Sequence, residues 1–397
     1  MKTSLALLLA LVTCIALAAC MAASSDPTGA SGDDLSADRH AKNDLPATKA
    51  ALGALIFADT NLSEPAGQSC ASCHDAAHGF ADPRGTSTSQ GAVSGRFGLR
   101  NAPAITYASL IPVLNPSGDE TGYGGGQFWD GRVSTLQAQA SGPLLNPLEM
   151  NNPDAATIQK KLQQARYATA FTALYGAGAL DDAATALANL VDAIAAFETA
   201  LPKRYTSKFD AFRAGRTALS DAEQRGLTLF EDKKSGPCTP PNDAPPCGCA
   251  QCHLDQPAAD GALPLFTDFG YDNIGIPKNT ANPYYSLPSD LNPGGADYVD
   301  NGLGAVIHNP RQFGHFKAPS LRNVALTAPY GHNGYFADLK SIVHFYNTRD
   351  VRDANWAAPE QTFNMNVKAL GNLQLSDQDE ADLVTFLGTL TDGYSLR

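Results

Sequence analysis

Two pentapeptides in this chain have the residue types and spacing to do chemistry: Cys70-Ala71-Ser72-Cys73-His74 and Cys249-Ala250-Gln251-Cys252-His253. In each, two thiols are separated by two residues and an imidazole follows the second thiol directly. Both thiols can then add to the vinyl groups of one porphyrin while the imidazole reaches its iron, which is the attachment pattern of c-type haem. A zinc or thiol-redox pair would not require His after the second Cys both times. The expectation is two covalently bound haem c groups, with His74 and His253 as proximal ligands.

The rest of the cysteine inventory fits an exported protein. Lys2 precedes an apolar stretch, Leu5 to Ala19, too short to hold a mature protein in a membrane, so residues 1–19 read as a signal peptide. The string Leu17-Ala18-Ala19-Cys20 resembles a bacterial lipobox, with Cys20 as a lipidated first mature residue; ordinary signal-peptidase cleavage nearby is the alternative. A lipid at Cys20 would tether the protein without spanning the bilayer. The expected location is periplasmic and lipid-anchored, because c-type haem is attached outside the bacterial cytoplasm. Cys14 leaves with the signal. Cys238 and Cys247, inside a Pro-rich insert, read as a small disulfide in an oxidising compartment, with two free thiols as the competing reading.

Composition is that of a soluble globular protein, 43% apolar and 17% charged with a net charge of -12. An acidic surface argues against nucleic acid and suits docking of a basic partner. No second long apolar run is present, so membrane contact is expected only through Cys20.

The elements that must position the two motifs form a weak internal repeat. Leu52-Gly53-Ala54-Leu55-Ile56-Phe57 precedes the first motif and Arg225-Gly226-Leu227-Thr228-Leu229-Phe230 the second, with Ser220 and Glu223 as a capping box opening the latter helix. A further helix carries Leu187, Leu190, Val191, Ile194, Phe197 and Leu201 on one face, and a last helix begins at Ser376 with Leu383, Phe386, Leu387 and Leu390. Residues 20–45, rich in Ser, Gly, Asp and Ala, read as a flexible tether. A boundary near Pro202 to Lys208 divides the body into haem domains of residues 46–203 and 204–397. Three Gly/Pro-rich stretches, Asn115–Gly126, Gly236–Gly248 and Pro277–Asn309, read as long surface loops. The fold class expected is mainly α: two cytochrome c-like haem domains with long irregular loops.

Between the motifs the sequence resembles a known family. The strings Arg100-Asn101-Ala102-Pro103, Phe128-Trp129-Asp130-Gly131-Arg132, Gln139, Asn146-Pro147-Leu148-Glu149-Met150 and Pro319-Ser320-Leu321-Arg322-Asn323, running on to Thr327-Ala328-Pro329-Tyr330-Gly331-His332-Asn333-Gly334, are similar to those of the bacterial dihaem cytochrome c peroxidases and their MauG relatives. The resemblance extends from about Leu52 to the C-terminus.

That resemblance makes the two haems unequal. Ordinary peroxidases of the family carry a distal histidine in the loop after the first motif; aligned on Arg100-Asn101, its place falls near Val93. His78 is the one histidine between His74 and Asn101, and it follows a proximal ligand too closely to reach the opposite face, so it reads as a loop histidine. The N-terminal domain is therefore expected to be peroxidatic, with a permanently open haem as in MauG-like members. The resemblance assigns proton transfer during peroxide cleavage to Glu149, with Gln139 helping to position peroxide; without the surrounding strings they would be a loop carboxylate and a surface amide. A carboxylate in an apolar haem pocket should have a raised pKa, which suits that task.

For the second, electron-transfer haem the place of the family's usual methionine, counted from His332, falls on Tyr346. Leu339, Ile342, Val343 and Tyr346 share a helical face, a pattern that also describes a core tyrosine. The register matches MauG, in which tyrosine is the ligand; Met365 is the rival. A tyrosine oxygen lowers the haem potential where a thioether raises it. The resemblance places His332 beside this haem without ligating it, sets Trp129 between the haems as a charge relay, and gives Asn101 with the carbonyls of Thr327 and Pro329 as a calcium site. His344 should face elsewhere, and His40, His308 and His315 read as surface or structural.

The function expected is peroxide-dependent oxidation. The partners are hydrogen peroxide and a protein donor, either a small c-type cytochrome or a cupredoxin. The alternatives are MauG-like oxidation of a partner protein or other substrate through the second haem, and a non-catalytic dihaem electron carrier, which would need both irons six-coordinate.

Overall fold

Glycine in a helix interior costs stability, so Gly53 and Gly226 need a reason, and the structure, a computed structural model, supplies the same one for both. It describes residues 46–116, 122–231 and 248–396. The expected signal segment, the tether, Cys14, Cys20, His40 and the Cys238–Cys247 pair lie outside the described residues.

The helices among the described residues are α1 Lys49–Phe57, α2 Leu136–Leu145, α3 Ala155–Gln164, α4 Ala168–Tyr175, α5 Ala183–Ala200, α6 Lys208–Arg213, α7 Asp221–Glu231, α8 Gly302–Val306, α9 Leu339–Thr348 and α10 Asp377–Gly388. A methyl group on Gly53 would sit 1.9 Å from the Ala193 carbonyl oxygen and 2.8 Å from the Phe197 Cβ, so α1 crosses α5 in backbone contact. A methyl on Gly226 would sit 2.1 Å from the Asp382 oxygen and 2.7 Å from the Phe386 Cβ, and α7 crosses α10 the same way. The sequence repeat is thus a repeat of helix crossings.

Both helices of the second crossing start where the sequence provides a cap. Ser220 and Glu223 exchange backbone bonds at the head of α7, and Ser376 with Asp379 does the same for α10. Around each crossing lies an apolar core. One includes Leu52, Ile56, Leu144, Ile158, Phe171, Leu190 and Ile194; the other includes Phe209, Leu227, Phe230, Phe266, Leu383, Phe386 and Leu390. Both sit within a single compact body, residues 46–397. By length and composition α5 could cross a membrane; here it is the central helix of the first core, with Leu190, Ala193 and Ile194 fully or almost fully buried.

Strand is scarce among the described residues. β1 Asn115–Pro116 pairs antiparallel with β2 Tyr123–Gly124, and β3 Tyr271–Asp272 with β4 Phe316–Lys317. Asn115–Gly126 is therefore a hairpin at its ends. Pro277–Asn309 is irregular apart from α8 and short 3₁₀ turns, but it is not a surface loop. Tyr284, Tyr285, Asn292, Asp300 and Leu303 are buried in it. A buried loop must satisfy its own backbone, and asparagines do so: Asn282 Oδ1 accepts from Tyr284 N, Asn292 Nδ2 donates to Tyr284 O and Asn279 Nδ2 to Asn333 O.

Candidate active site

Both Cys-x-x-Cys-His groups line one cavity of about 1060 Å³, larger than the roughly 300–1,000 Å³ of an ordinary small-molecule site. Each motif opens as a 3₁₀ turn, Cys70–Ser72 and Cys249–Gln251, closed by His74 N donating to Cys70 O and His253 N to Cys249 O, both at 2.9 Å. The turn sets two thiols and an imidazole along the same wall.

The two imidazoles are oriented alike. His74 Nδ1 lies 3.0 Å from the Phe80 carbonyl oxygen and His253 Nδ1 2.9 Å from that of Phe266. A carbonyl only accepts, so Nδ1 carries the proton and Nε2 keeps the lone pair a metal needs. Burial lowers the pKa of both rings, holding them neutral and able to ligate. Both acceptor phenylalanines have left-handed backbone, φ 59° and 55°, which turns their carbonyls back toward the ring. That orientation, with four thiols and the size of the cavity, fits two covalently bound haems.

A second repeat lines the same cavity. A bridge pairs Gln127 with Val133 around Asp130-Gly131, and another pairs Tyr330 with Phe336 around Asn333-Gly334; both turn glycines have positive φ. After each bridge comes an N-cap, Thr135 or Asp338, and then a helix of 10 residues, α2 or α9. The two units match residue for residue, so Trp129 corresponds to His332 and Pro143 to Tyr346. Pro143 and Tyr346 both line the cavity. Burial pushes the Tyr346 phenol well above its ordinary range, the nearby Cys252 and Cys249 adding to the shift. Met365 does not line the cavity; its sulfur packs over the backbone of Gly275.

Glu149 and Gln139 also line the cavity. Burial raises the Glu149 pKa, opposed by a 2.6 Å hydrogen bond from Asn146 Nδ2 and by the charge of Arg132. Val93 does not line the cavity, and His78 is exposed with its ring on Asp75. His344 turns to Glu380 on α10, and His315 is buried with Nδ1 3.3 Å from Phe313 O.

Trp129 lines the cavity that both motif groups line. Its Nε1 donates to Asn101 O at 2.9 Å, and Asn101 N donates to His332 O at 2.8 Å. His332 stacks on Phe316 at 3.6 Å, with both ring nitrogens buried and unpaired, and burial drops its pKa to about 3. Arg100 bridges Asp130 and Asp300 beside it. Asn101, Thr327 and Pro329 all line the cavity, and the Asn101 amide nitrogen donates to Ser87 O, which leaves Oδ1 as an oxygen donor. No cluster of three or more His, Cys, Asp or Glu suited to a metal occurs among the described residues; an amide-and-carbonyl set is of a different kind.

Sequence reasoning missed Phe80, Phe266, Pro143 and Glu198. Glu198 on α5 is 4% exposed, lines the cavity and has Oε2 unpaired, and burial lifts its pKa to about 7. Its signal was available, since it falls four residues after Ile194 on the apolar face of α5. Pro143 was findable by aligning Asp130-Gly131 with Asn333-Gly334. The two left-handed phenylalanines had no local signal.

Two covalent-haem motifs on one cavity, each with a carbonyl-oriented imidazole, define a dihaem c-type redox protein. The family model described as di-haem cytochrome c peroxidase matches residues 47–218. The methylamine utilization protein MauG of Paracoccus denitrificans (strain Pd 1222) is 39% identical over 363 residues, 86% of this chain and 88% of that protein. The cytochrome c peroxidase Ccp of Escherichia coli (strain K12) is 31% identical over 88% of this chain and 59% of its own length. The crystal structure of the diheme peroxidase BthA from Burkholderia thailandensis E264 superposes with a TM-score of 0.74 at 33% identity, covering 88% of this chain and 87% of that one. The chain belongs to the dihaem cytochrome c peroxidase and MauG family. Its cofactors are accordingly two haem c groups, its fold is mainly helical, and it is an oxidoreductase.

Proposed function

We propose that this protein is a periplasmic peroxidase in which the haem held by Cys70, Cys73 and His74 is open to hydrogen peroxide, and the haem held by Cys249, Cys252 and His253 is closed by Tyr346 and exchanges electrons with a protein donor. The observation that carries this reading is the pairing of Pro143 with Tyr346. One repeat offers an oxygen to its haem and the other, at the same place, offers no ligand atom. The division is of residues 46–203 from 204–397.

When bound, an open haem supplies an iron at which peroxide is cleaved, and a closed one supplies a redox couple. The protein does the rest. Glu149 takes a proton from the near oxygen of peroxide at its carboxylate and returns it to the departing oxygen, and its raised pKa matches that double task. Asn146 holds the carboxylate in place, and Gln139 offers an amide to orient peroxide. Trp129, fixed by its N–H, relays charge between the halves. Asn101 Oδ1 with the carbonyls of Thr327 and Pro329 holds a calcium ion at the junction.

The donor is a small c-type cytochrome or a cupredoxin, suited to an acidic protein. Tyr346 favours a second reading. An oxygen ligand lowers the potential of its haem and favours storing oxidising equivalents, which suits MauG-like oxidation of a partner protein or other substrate. Export by residues 1–19 and a lipid anchor at Cys20 complete the proposal.

Low-temperature electron paramagnetic resonance of the oxidised holoprotein tests it, followed by peroxide addition. One high-spin and one low-spin ferric signal are expected, with continuous turnover of excess peroxide only while a reductant is present. Two low-spin signals at rest, unaltered by peroxide, would reduce the protein to an electron carrier.

A further inference from the structure

We propose that Trp356 is the outlet by which oxidising equivalents leave the neighbourhood of Tyr346 for the protein surface, and the first side chain modified when no electron donor is present. This rests on the peroxidatic reading above. The chain has two tryptophans. Trp129 lines the cavity; Trp356 does not, and lies beyond Tyr346 with Phe345 between them.

An aromatic path joins the cavity wall to that surface. The Tyr346 ring is 6.5 Å from the ring of Phe345 at 89°, and Phe345, fully buried, is 5.2 Å from Trp356 at 86°. Phe336 braces the turn, 4.9 Å from Phe345 and 6.1 Å from Trp356. Trp356 itself is partly exposed. Its Nε1 donates to Thr348 Oγ1 at 3.0 Å, and that hydroxyl donates to His344 O at 2.7 Å, which fastens the indole to α9, the helix that carries Tyr346. The ring is therefore held rigidly against the same element as the expected ligand.

Phenylalanine is too hard to oxidise to hold a charge, so Phe345 acts as a tunnelling medium and the indole beyond it as the resting place. Behind His344, whose ring is 5.9 Å from Trp356, stands the buried carboxylate of Glu380, accepting from His344 Nδ1 at 2.9 Å. A carboxylate there favours positive charge on the indole.

The electron balance closes. Reduction of one peroxide to two waters takes two electrons and two protons, and with no donor present the oxidised second haem recovers electrons from the protein. Trp356 gives up one electron through Phe345 and Tyr346, leaving an indole cation radical with its N–H still on Thr348. Loss of a second electron and addition of one water yields hydroxytryptophan and releases two protons.

The test is to add stoichiometric peroxide repeatedly to the oxidised holoprotein without donor. Peptide mass spectrometry and electron paramagnetic resonance then follow the protein, and haem absorbance follows the cofactor. The Trp356 peptide should gain one oxygen ahead of the Trp129 peptide. In Trp356→Phe the absorbance change should form at the wild-type rate and persist several-fold longer, with the radical signal lost. Trp356→Tyr, which keeps an oxidisable ring, should restore the faster decay, whereas a purely structural role would not separate Tyr from Phe. A normal absorbance change with Trp356 unmodified, and decay in Trp356→Phe like wild type, would overturn this proposal and leave the peroxidatic reading standing. No absorbance change at all would overturn both.

Discussion

Tyr346 and Pro143 hold the same place in two copies of one hairpin-and-helix unit, each facing the cavity that both Cys-x-x-Cys-His groups line. A duplicated scaffold would make two alike haems; on the proposed reading this one difference makes them unlike. A phenol can ligate iron; a pyrrolidine ring cannot, and it carries no N–H either.

The first prediction follows for Tyr346. Tyr346→Phe should change the low-spin ferric signal and leave the high-spin signal as it was, and Tyr346→Met should restore six-coordination at a higher potential. Redox titration monitored by absorbance reads the potential. An unaltered low-spin signal in the Phe variant would remove Tyr346 as ligand, although Met365, packed over Gly275, would then have to move to replace it.

Glu149 leads to a prediction in pH. The base form is needed to accept the peroxide proton, so reactivity should fall as pH drops through its raised pKa. The Asn146 hydrogen bond holds that pKa down against burial, and Asn146→Ala should move the acid limb of the rate profile to higher pH. Glu149→Gln should slow the peroxide reaction roughly 10²–10⁴-fold above that pKa, the usual worth of a general acid–base group, and by less below it, where wild type is protonated too. Stopped-flow rates measured across pH check both. An acid limb that stays put in Asn146→Ala would detach Glu149 from the proton transfer.

What could be read from the chain before its structure was what local pattern encodes. The two motifs, the Gly53 and Gly226 helices, the Ser220 capping box and the Ser376 helix start are short-range signals, and each stands where the spacing puts it. Tyr346 and Glu149 came from register along strings resembling a family, and both line the cavity. The carbonyls of Phe80 and Phe266 were invisible because a left-handed phenylalanine is set by tertiary packing against intrinsic preference. Pro277–Asn309 looked like surface because Gly and Pro mark irregular chain. Its burial depends on asparagine side chains bonding to backbone far away in sequence, as Asn279 does with Asn333.

The helix crossings yield a third prediction. A methyl at Gly53 would lie 1.9 Å from a backbone oxygen of α5, with no flexible side chain to yield. Gly53→Ala should destabilise the holoprotein by roughly 1–3 kcal/mol, the range for overpacking a well-filled contact. Gly226→Ala, 2.1 Å from the Asp382 oxygen, should cost a similar amount. Thermal melts of both variants check this. Ala tolerated at either position without a fall in Tm would mean that the helices are not in backbone contact.

Glu198 yields a prediction about stability and pH. Burial lifts its pKa to about 7 in the folded protein from the ordinary 4.5, so the folded state binds the proton more tightly than the unfolded chain. The contribution to stability is then fully present below the unfolded pKa and is lost as pH rises through the folded one. Above that, the folded protein carries a buried carboxylate whose Oε2 has no partner. Glu198→Gln keeps a neutral group of the same shape at every pH. The variant should match wild type near pH 4 and exceed it near pH 8 by up to about 3 kcal/mol, the free-energy equivalent of that shift. Urea unfolding of the two holoproteins at both pH values measures the difference from the midpoints. An equal gap at the two pH values would mean that Glu198 titrates alike in the folded and unfolded states. The cavity wall would then have to solvate its carboxylate as well as water does.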